Sequence, residues 1–342
     1  GCHENYYLYG LGPDDVQDLK PIIPFLITRQ IFDGAGSWNK NSGWCLSQRA
    51  QGIDKEFGHG STTGARPIIQ TKLGDTGSTP RMHVILGDAN ILEFAIYLKM
   101  GTCALMLALL EAGRYPNTVC VNSIDAMKLI AITADPYAPI VKMENGNTLS
   151  ALQTQFLFLD AIQKELPAAT FASDDVQAEV MRIVCCWEQA LHAIKNRDES
   201  WMLGRFDHTT KRYLIEKEIL RLGIQNESQK FLLRKNFNIL YHGVSDRTLQ
   251  ERMNRMWAPR RFVTDAQIND ATLNPPINTR ARMRGMFVRA LADKGKHAIP
   301  FVDWKGVGEN IGGPPHRTFL FDDPFIFDIP GFDSFLSHFD MQ

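Results

Sequence analysis

The spacing of apolar and polar positions divides the chain into a β-rich first part and a helical middle. Tyr6-Tyr7-Leu8-Tyr9 predicts a short aromatic strand, ended by the Gly10-Leu11-Gly12-Pro13 turn. A helix is predicted from about Asp14 towards Arg29, with acids in its first turn where the helix dipole favours them. Gly34-Ala35-Gly36 breaks the chain, and further strands are predicted over Trp44 to Arg49, Arg66 to Lys72 and around His83. The clearest helix runs from Asp88 to Ala112: Asp88 and Asn90 are good caps, Ile91, Phe94, Ala95, Leu98, Thr102, Leu105 and Leu109 keep helical spacing, and Gly113 ends it. Its second half is apolar on nearly every face, which predicts a buried spine whose N-terminus, beside His83, would favour phosphate. After a mixed stretch with a strand at Ile140 to Met143 and a hairpin turn at Asn145-Gly146, helices are predicted over 150–165, 173–196, 198–222 and 227–241. Pro275-Pro276 then leads into a helix carrying Arg280, Arg282 and Arg284, and the tail reads as a small terminal strand unit.

Composition adds limits. Of 342 residues, 44% are hydrophobic and 22% charged, with a formal net charge of −1, which is enough chain and apolar content for one large or two medium domains with a sizeable core. A charge so close to zero argues against bulk nucleic-acid binding. Cys2, Cys45, Cys103, Cys120, Cys185 and Cys186 form neither a zinc pattern nor a disulfide framework; buried free thiols in a reducing cytoplasm are expected. The longest apolar run, Ala104 to Leu110, is too short to span a bilayer, and no signal peptide is visible.

Candidate chemistry falls in three stretches. His3 in Gly1-Cys2-His3-Glu4-Asn5-Tyr6 and His83 in Pro80-Arg81-Met82-His83-Val84 each sit in or beside a strand with an acid or amide nearby, as ligands of a divalent metal do. A lone histidine is more often an ordinary packed side chain, so neither stands without the other. The arginines of the 280 helix are spread over different faces at a helix end that disfavours cations, so anionic partners are expected for them. Arg247, Arg252, Arg255, Arg260 and Arg261 form a further cluster that reads as a solvated face or an anion site.

In order along the chain, Gly1-Cys2-His3-Glu4-Asn5-Tyr6, Pro24-Phe25-Leu26-Ile27-Thr28-Arg29-Gln30, Cys45-Leu46-Ser47-Gln48-Arg49-Ala50, Arg66-Pro67-Ile68-Ile69, Met82-His83-Val84-Ile85 with Gly87-Asp88-Ala89-Asn90, Thr279-Arg280-Ala281-Arg282, and Val302-Asp303-Trp304 resemble the Pup ligase and depupylase family of glutamine-synthetase-like carboxylate–amine ligases. The resemblance is dense over 1–105 and 275–305, and its ending is closer to the ligase branch. It implies an α+β fold: a curved antiparallel sheet forming a cradle, backed by helices. The ligase domain would cover 1–270, β-rich over 1–148 and helical over 150–270, with a small C-terminal domain over 271–342.

By resemblance the activity is ATP-dependent: a terminal carboxylate of a small ubiquitin-like, Pup-like protein becomes an acyl phosphate, which a target lysine amine opens to an isopeptide bond. ATP and Mg²⁺ are the implied cofactors and the cytoplasm the implied location, with no nucleic acid and no membrane as partner. His3 and His83 fit metal ligands, Arg49 and Lys72 substrate binding, and Arg280, Arg282 and Arg284 nucleotide phosphate contacts. Alternatives are a depupylase-type isopeptidase and a nucleotide-binding paralogue without ligase activity. The family's metal-binding Glu residues and catalytic Asp precede the His-Glu-Asn motif, so they are expected on an N-terminal half carried by a separate chain. Two departures concern the modifier. The family's Asn-Thr-Arg is Gln70-Thr71-Lys72 here, and lysine lacks arginine's bidentate fork. Its Tyr-His-Asp is Tyr241-His242-Gly243.

Overall fold

The structure is a computed structural model, and it describes residues 1–9, 16–40, 42–58, 64–70, 81–116, 118–243, 247–292, 299–310 and 317–340. They divide into two compact units, the described residues up to Phe262 forming one and those from Val263 on forming the other.

The first unit opens with β1 (Glu4–Tyr7), a 3₁₀ turn, and the short helices α1 (Ile23–Thr28) and α2 (Gln30–Asp33). The predicted first helix is thus split. Every residue of α1 is buried, because Ile23-Pro24-Phe25-Leu26-Ile27 has no polar face to turn outward. The hairpin β2 (Ser37–Asn39) and β3 (Gly43–Cys45) follows, then β4 (Lys55–Gly58), β5 (Pro67–Gln70) and β6 (Arg81–Val84). The main sheet has the order β1-β6-β5-β4. It is antiparallel except at β4–β5, which pair in parallel, so the sheet is mixed and not wholly antiparallel as expected.

The spine helix α3 runs from Glu93 to Glu111, five residues later than predicted. Asp88 does not cap it. Ile91 and Leu92 give their amides to Asp207 Oδ1 (3.0 and 3.2 Å), which keeps this segment out of the helix. Glu93 then occupies the helix start, accepting from Arg261 Nε (3.1 Å) and the Phe262 amide, so this N-terminus does not serve a phosphate. By length and mean hydropathy (1.6) α3 could cross a membrane, although no run within it suggested so; here 56% of that window is buried, and it packs as a core helix.

Helix α4 (Ser123–Thr133), strands β7 (Pro139–Lys142) and β8 (Thr148–Ser150), and helices α5 (Ala151–Glu165) and α6 (Asp174–Lys195) follow; α5 and α6 pack against α3, and α4 packs against α1 and β7. The α5 start is a capping box: Ser150 Oγ accepts from the Gln153 amide (3.1 Å) and Gln153 Oε1 from the Ser150 amide (2.9 Å). Ser150→Ala is expected to lower stability by about 1 kcal/mol in urea denaturation, with the midpoint and not the slope moving.

The single helix predicted over 198–222 is two, α7 (Glu199–Met202) and α8 (Asp207–Arg221), broken at Gly204. Gly204 has φ +73°, and a Cβ there would overlap the Trp257 ring, so glycine is required twice over. Helices α9 (Glu227–Tyr241) and α10 (Arg247–Met256) follow. Cys185 lies on the exposed face of α6 and Cys186 is half-buried, contrary to the expectation of buried thiols; all six cysteines are free.

The second unit holds α11 (Asp265–Leu273), α12 (Arg280–Ala292), the antiparallel sheet β11-β10-β9 built from β9 (Ile299–Val302), β10 (Gly306–Asn310) and β11 (Arg317–Leu320), and α13 (Phe332–Asp340). Its own core gathers Met283, Phe287, Val307, Phe321, Phe332 and Leu336.

Candidate functional site

Register decides which side chains the main sheet offers. Glu4 pairs with Val84, Tyr6 with Met82, and Ile69 with Val84, and all of these point into the core. The intervening positions therefore share the other face: Asn5 opposite His83, Tyr7 opposite Arg81, and Gln70 opposite His83. His3, just before β1, completes the group: its Nδ1 lies 3.1 Å from His83 Nε2.

Glu4, the acid beside His3, is not part of this group. Its carboxylate takes both Nη groups of Arg29, one at 3.0 Å, and the Tyr6 hydroxyl at 2.6 Å. Arg29 Nε is also 3.0 Å from Asp33, and all of these side chains are buried. The clamp fixes which way β1 faces and so sends His3 and Asn5 to the open side.

Both imidazoles are neutral at pH 7. Burial, then the neighbouring Arg81 and His3, pulls His83 down to about 4. Burial and Arg49 lower His3. The contact between them is an imidazole–imidazole hydrogen bond with one ring donating. Its spacing also matches two adjacent ligands of one octahedral ion, which sit about 3 Å apart at bond lengths near 2.1 Å. Among the described residues, no group of three or more His, Cys, Asp and Glu is placed to hold a metal. The pair supplies two nitrogen donors, so a divalent ion held there would have to take its remaining positions from oxygens outside this group.

Arg49 lies next to this pair. It is not on a strand, since β3 ends at Cys45. Its Nε donates to the Ile85 carbonyl (2.9 Å), and among the described residues its terminal nitrogens take no partner. The turn that carries it is held by Asp88, whose carboxylate accepts from the amides of Ala35 (2.8 Å), Gln48 (3.2 Å) and Arg49 (2.9 Å) and from Ser47 Oγ (3.2 Å). In the sequence Asp88 reads as a helix cap, and no motif marks Arg81. Arg81 was legible as the residue two before His83 on the same strand, hence on the same face. The role of Asp88 was not legible, because its partners are 39 to 53 residues away.

Lys72 lies outside the described residues. Arg280, Arg282 and Arg284 belong to the second unit. Arg280 is buried, and its Nη1 donates to the Asp322 carbonyl (3.0 Å). Burial and the neighbouring Arg284 lower its pKa, against Asp322, Asp303 and Asp323. Arg284 stacks over the Trp304 ring, 5.0 Å from its centre, and Arg282 is exposed. A cavity of about 570 Å³ between α8, α9 and α10 is lined by Leu232, Phe237, Leu240 and Met253 together with Lys217, Arg221 and Arg252, the last from the arginine cluster noted in the sequence; His3, His83, Arg49 and the arginines of the 280 helix do not line it.

A sequence model of the Pup-ligase protein family matches residues 1–308. The chain is 32% identical to a Pup–protein ligase of Mycobacterium ulcerans over 334 residues, covering 95% of this chain and 70% of the relative. The structure matches the ligase PafA in its crystal complex with the prokaryotic ubiquitin-like protein Pup, with a TM-score of 0.83 and 29% identity over 100% of this chain and 69% of that one. It also matches PafA in complex with ADP, with a TM-score of 0.81 and 28% identity over 100% of this chain and 74% of that one. The α+β fold is common to all three structures.

Proposed function

The chain belongs to the Pup-ligase family of isopeptide-forming enzymes, and from that premise we propose that it joins a Pup-like protein to a lysine of a target protein, with ATP consumed and the cytoplasm as its place of action. The observation that carries this reading is the open sheet face, where two neutral imidazoles and two arginines stand together while Glu4, the nearest acid in sequence, is turned into the core. Such a surface attracts phosphate and carboxylate and repels neither.

In this reading a carboxylate oxygen of the modifier attacks the γ-phosphorus of ATP and ADP departs. The lysine amine then attacks the acyl carbon, phosphate departs, and the amine loses a proton. Mg²⁺, when bound, neutralises charge on the transferring phosphoryl group. His3 and His83 would hold it with their neutral nitrogens, and the free fork of Arg49 would grip the modifier's carboxylate in bidentate fashion. Arg282 and Arg284 are proposed as phosphate contacts; Arg280 already spends one nitrogen on the Asp322 carbonyl. Lys72 is proposed to assist in substrate binding as a point charge. No residue of this chain is assigned the role of catalytic acid or base. A separate chain carrying an N-terminal half is supported by none of these observations and forms no part of the reading.

The test is a conjugation assay with ATP, Mg²⁺, Pup and a lysine-bearing protein. A covalent conjugate formed with one ADP per bond supports the reading. Cleavage of a preformed conjugate without net nucleotide consumption replaces it with an isopeptidase. His83→Ala is expected to weaken Mg–nucleotide binding by about tenfold or more in calorimetry. Unchanged affinity removes His83 as a metal ligand.

A further inference from the structure

The turn from Leu46 to Arg49 has no strand ladder to hold it, yet it must aim the Arg49 fork. Asp88 holds its backbone from one side. On the other side stands Lys211, on α8, with a side chain that is fully buried.

Its ammonium donates to the Gly36 carbonyl (2.8 Å) and to Asn238 Oδ1 (3.0 Å), and His242 Nε2 lies 2.8 Å away. An ammonium has three protons and no acceptor, so Nε2 of His242 must be the lone-pair nitrogen of a neutral ring. The Gln48 side-chain amide donates to the same two oxygens, Gly36 O at 3.0 Å and Asn238 Oδ1 at 2.9 Å. Each of these oxygens has two lone pairs and so takes one proton from Lys211 and one from Gln48. Two shared acceptors thus tie the residue before Arg49 to helices α8 and α9.

A buried ammonium is an expensive way to fill space; a methionine of similar length would pack there without desolvating a charge. Asp207 and Asp88 act on Lys211 only through their fields, and burial still pulls it down to about 8. Every proton of this costly group is directed at the oxygens and nitrogen around one turn.

We propose that Lys211 is a positioning residue for Arg49: through the Gly36 carbonyl and Asn238 it fixes the Gln48 side chain, and so holds the turn that presents the Arg49 fork to the modifier's carboxylate. The proposal rests on the reading of Arg49 as the carboxylate grip, and it deepens that reading by naming what sets the geometry of the grip.

The experiment compares Lys211→Met, Gln48→Leu, Arg49→Ala and the Lys211→Met/Arg49→Ala pair, with Pup as the probe. Two readouts are taken: kcat and KM for Pup in the conjugation assay, and hydrogen exchange at the amides of Gln48 and Arg49. Lys211→Met is expected to raise KM about tenfold, with kcat within about twofold, as befits the loss of hydrogen bonds from a charged group. It should also speed exchange at both amides. The pair should be no worse than Arg49→Ala alone, because the two residues act through one contact. Unchanged exchange in Lys211→Met overturns the proposal, and so does a KM effect that adds in full to that of Arg49→Ala. Should Lys211→Met fold poorly, Gln48→Leu at an exposed position puts the same two readouts to the same test. Faster exchange in Lys211→Met, with KM unmoved by Arg49→Ala, supports the hold on the turn and rejects the carboxylate grip instead.

Discussion

Arg29→Met is expected to destabilise the first unit by about 3–5 kcal/mol, the usual effect of removing one partner from a buried charge cluster. Arg29 is 1% exposed, and its fork holds Glu4 while its Nε holds Asp33. Burial already pushes Asp33 up to about 6 with the guanidinium in place. Without it, Glu4 and Asp33 lose the cation that contacts them. The buried Lys99, whose ammonium is taken by the Asp88 carbonyl and Asn90, acts on Asp33 only through its field, so both carboxylates must take up protons or water. Lysine should not rescue, because one ammonium cannot serve both oxygens of Glu4 and a third on Asp33. Replacing the cluster as a whole, with Glu4→Gln and Asp33→Asn added to Arg29→Met, should recover part of the loss, since no charge is then stranded. Urea denaturation at pH 7.5 measures all of these. A loss below about 1 kcal/mol for Arg29→Met would mean that water reaches the cluster. The same variant should disturb His3, because Glu4 is the residue that fixes the facing of β1.

The second large effect is a dependence of stability on pH that runs through His208. Its Nε2 donates to the Ile31 carbonyl (3.0 Å), Thr209 Oγ1 lies 3.1 Å from Nδ1, and burial pulls its pKa down to about 4. In the unfolded chain the group titrates at its ordinary value of 6.5. Between these two values the unfolded state binds more protons than the folded one, so stability rises with pH across the window from about 4 to 6.5 and is fully present above it. At 1.36 kcal/mol per unit, the contribution lost on acidification is about 3 kcal/mol. His83 and His242 shift in the same direction but are more exposed to water. Asp33 acts oppositely: raised from 3.8 to about 6, it binds a proton more tightly in the folded state over that range. The clean measurement is therefore a difference. His208→Gln keeps a donor for the Ile31 carbonyl and cannot titrate, so its stability should fall by about 3 kcal/mol less than that of the unaltered protein between pH 7 and pH 4. Parallel curves for the two proteins would refute the assignment.

Some of the site was legible in the sequence because it depends on local rules. The strand at His83 and the helices over 150–165, 173–196 and 227–241 followed from periodicity and caps, and the structure places them within a residue or two at most ends. The strand period of two also suffices to place Arg81 on the face of His83, although no motif singles out Arg81 in the sequence. Motif order pointed to the family, and with it to an α+β ligase fold.

What the sequence could not decide was which partner each polar residue would find. Glu4 directly follows the candidate His3, and no cation within several positions marks it for the core; a buried arginine 25 residues on does so. Asp88 carries every local mark of a helix cap, yet loops from 35 to 49 claim its oxygens, and the helix begins later. Lys211 reads as one more charge on a solvated helix, and only the approach of Gly36, Asn238 and His242 makes it a buried donor. The chain by itself determined its elements and its family, because propensity and pattern act over a few residues. The tertiary structure alone decided which charges are buried, paired or left free, because desolvation and hydrogen bonding depend on atoms that the chain brings together from far apart.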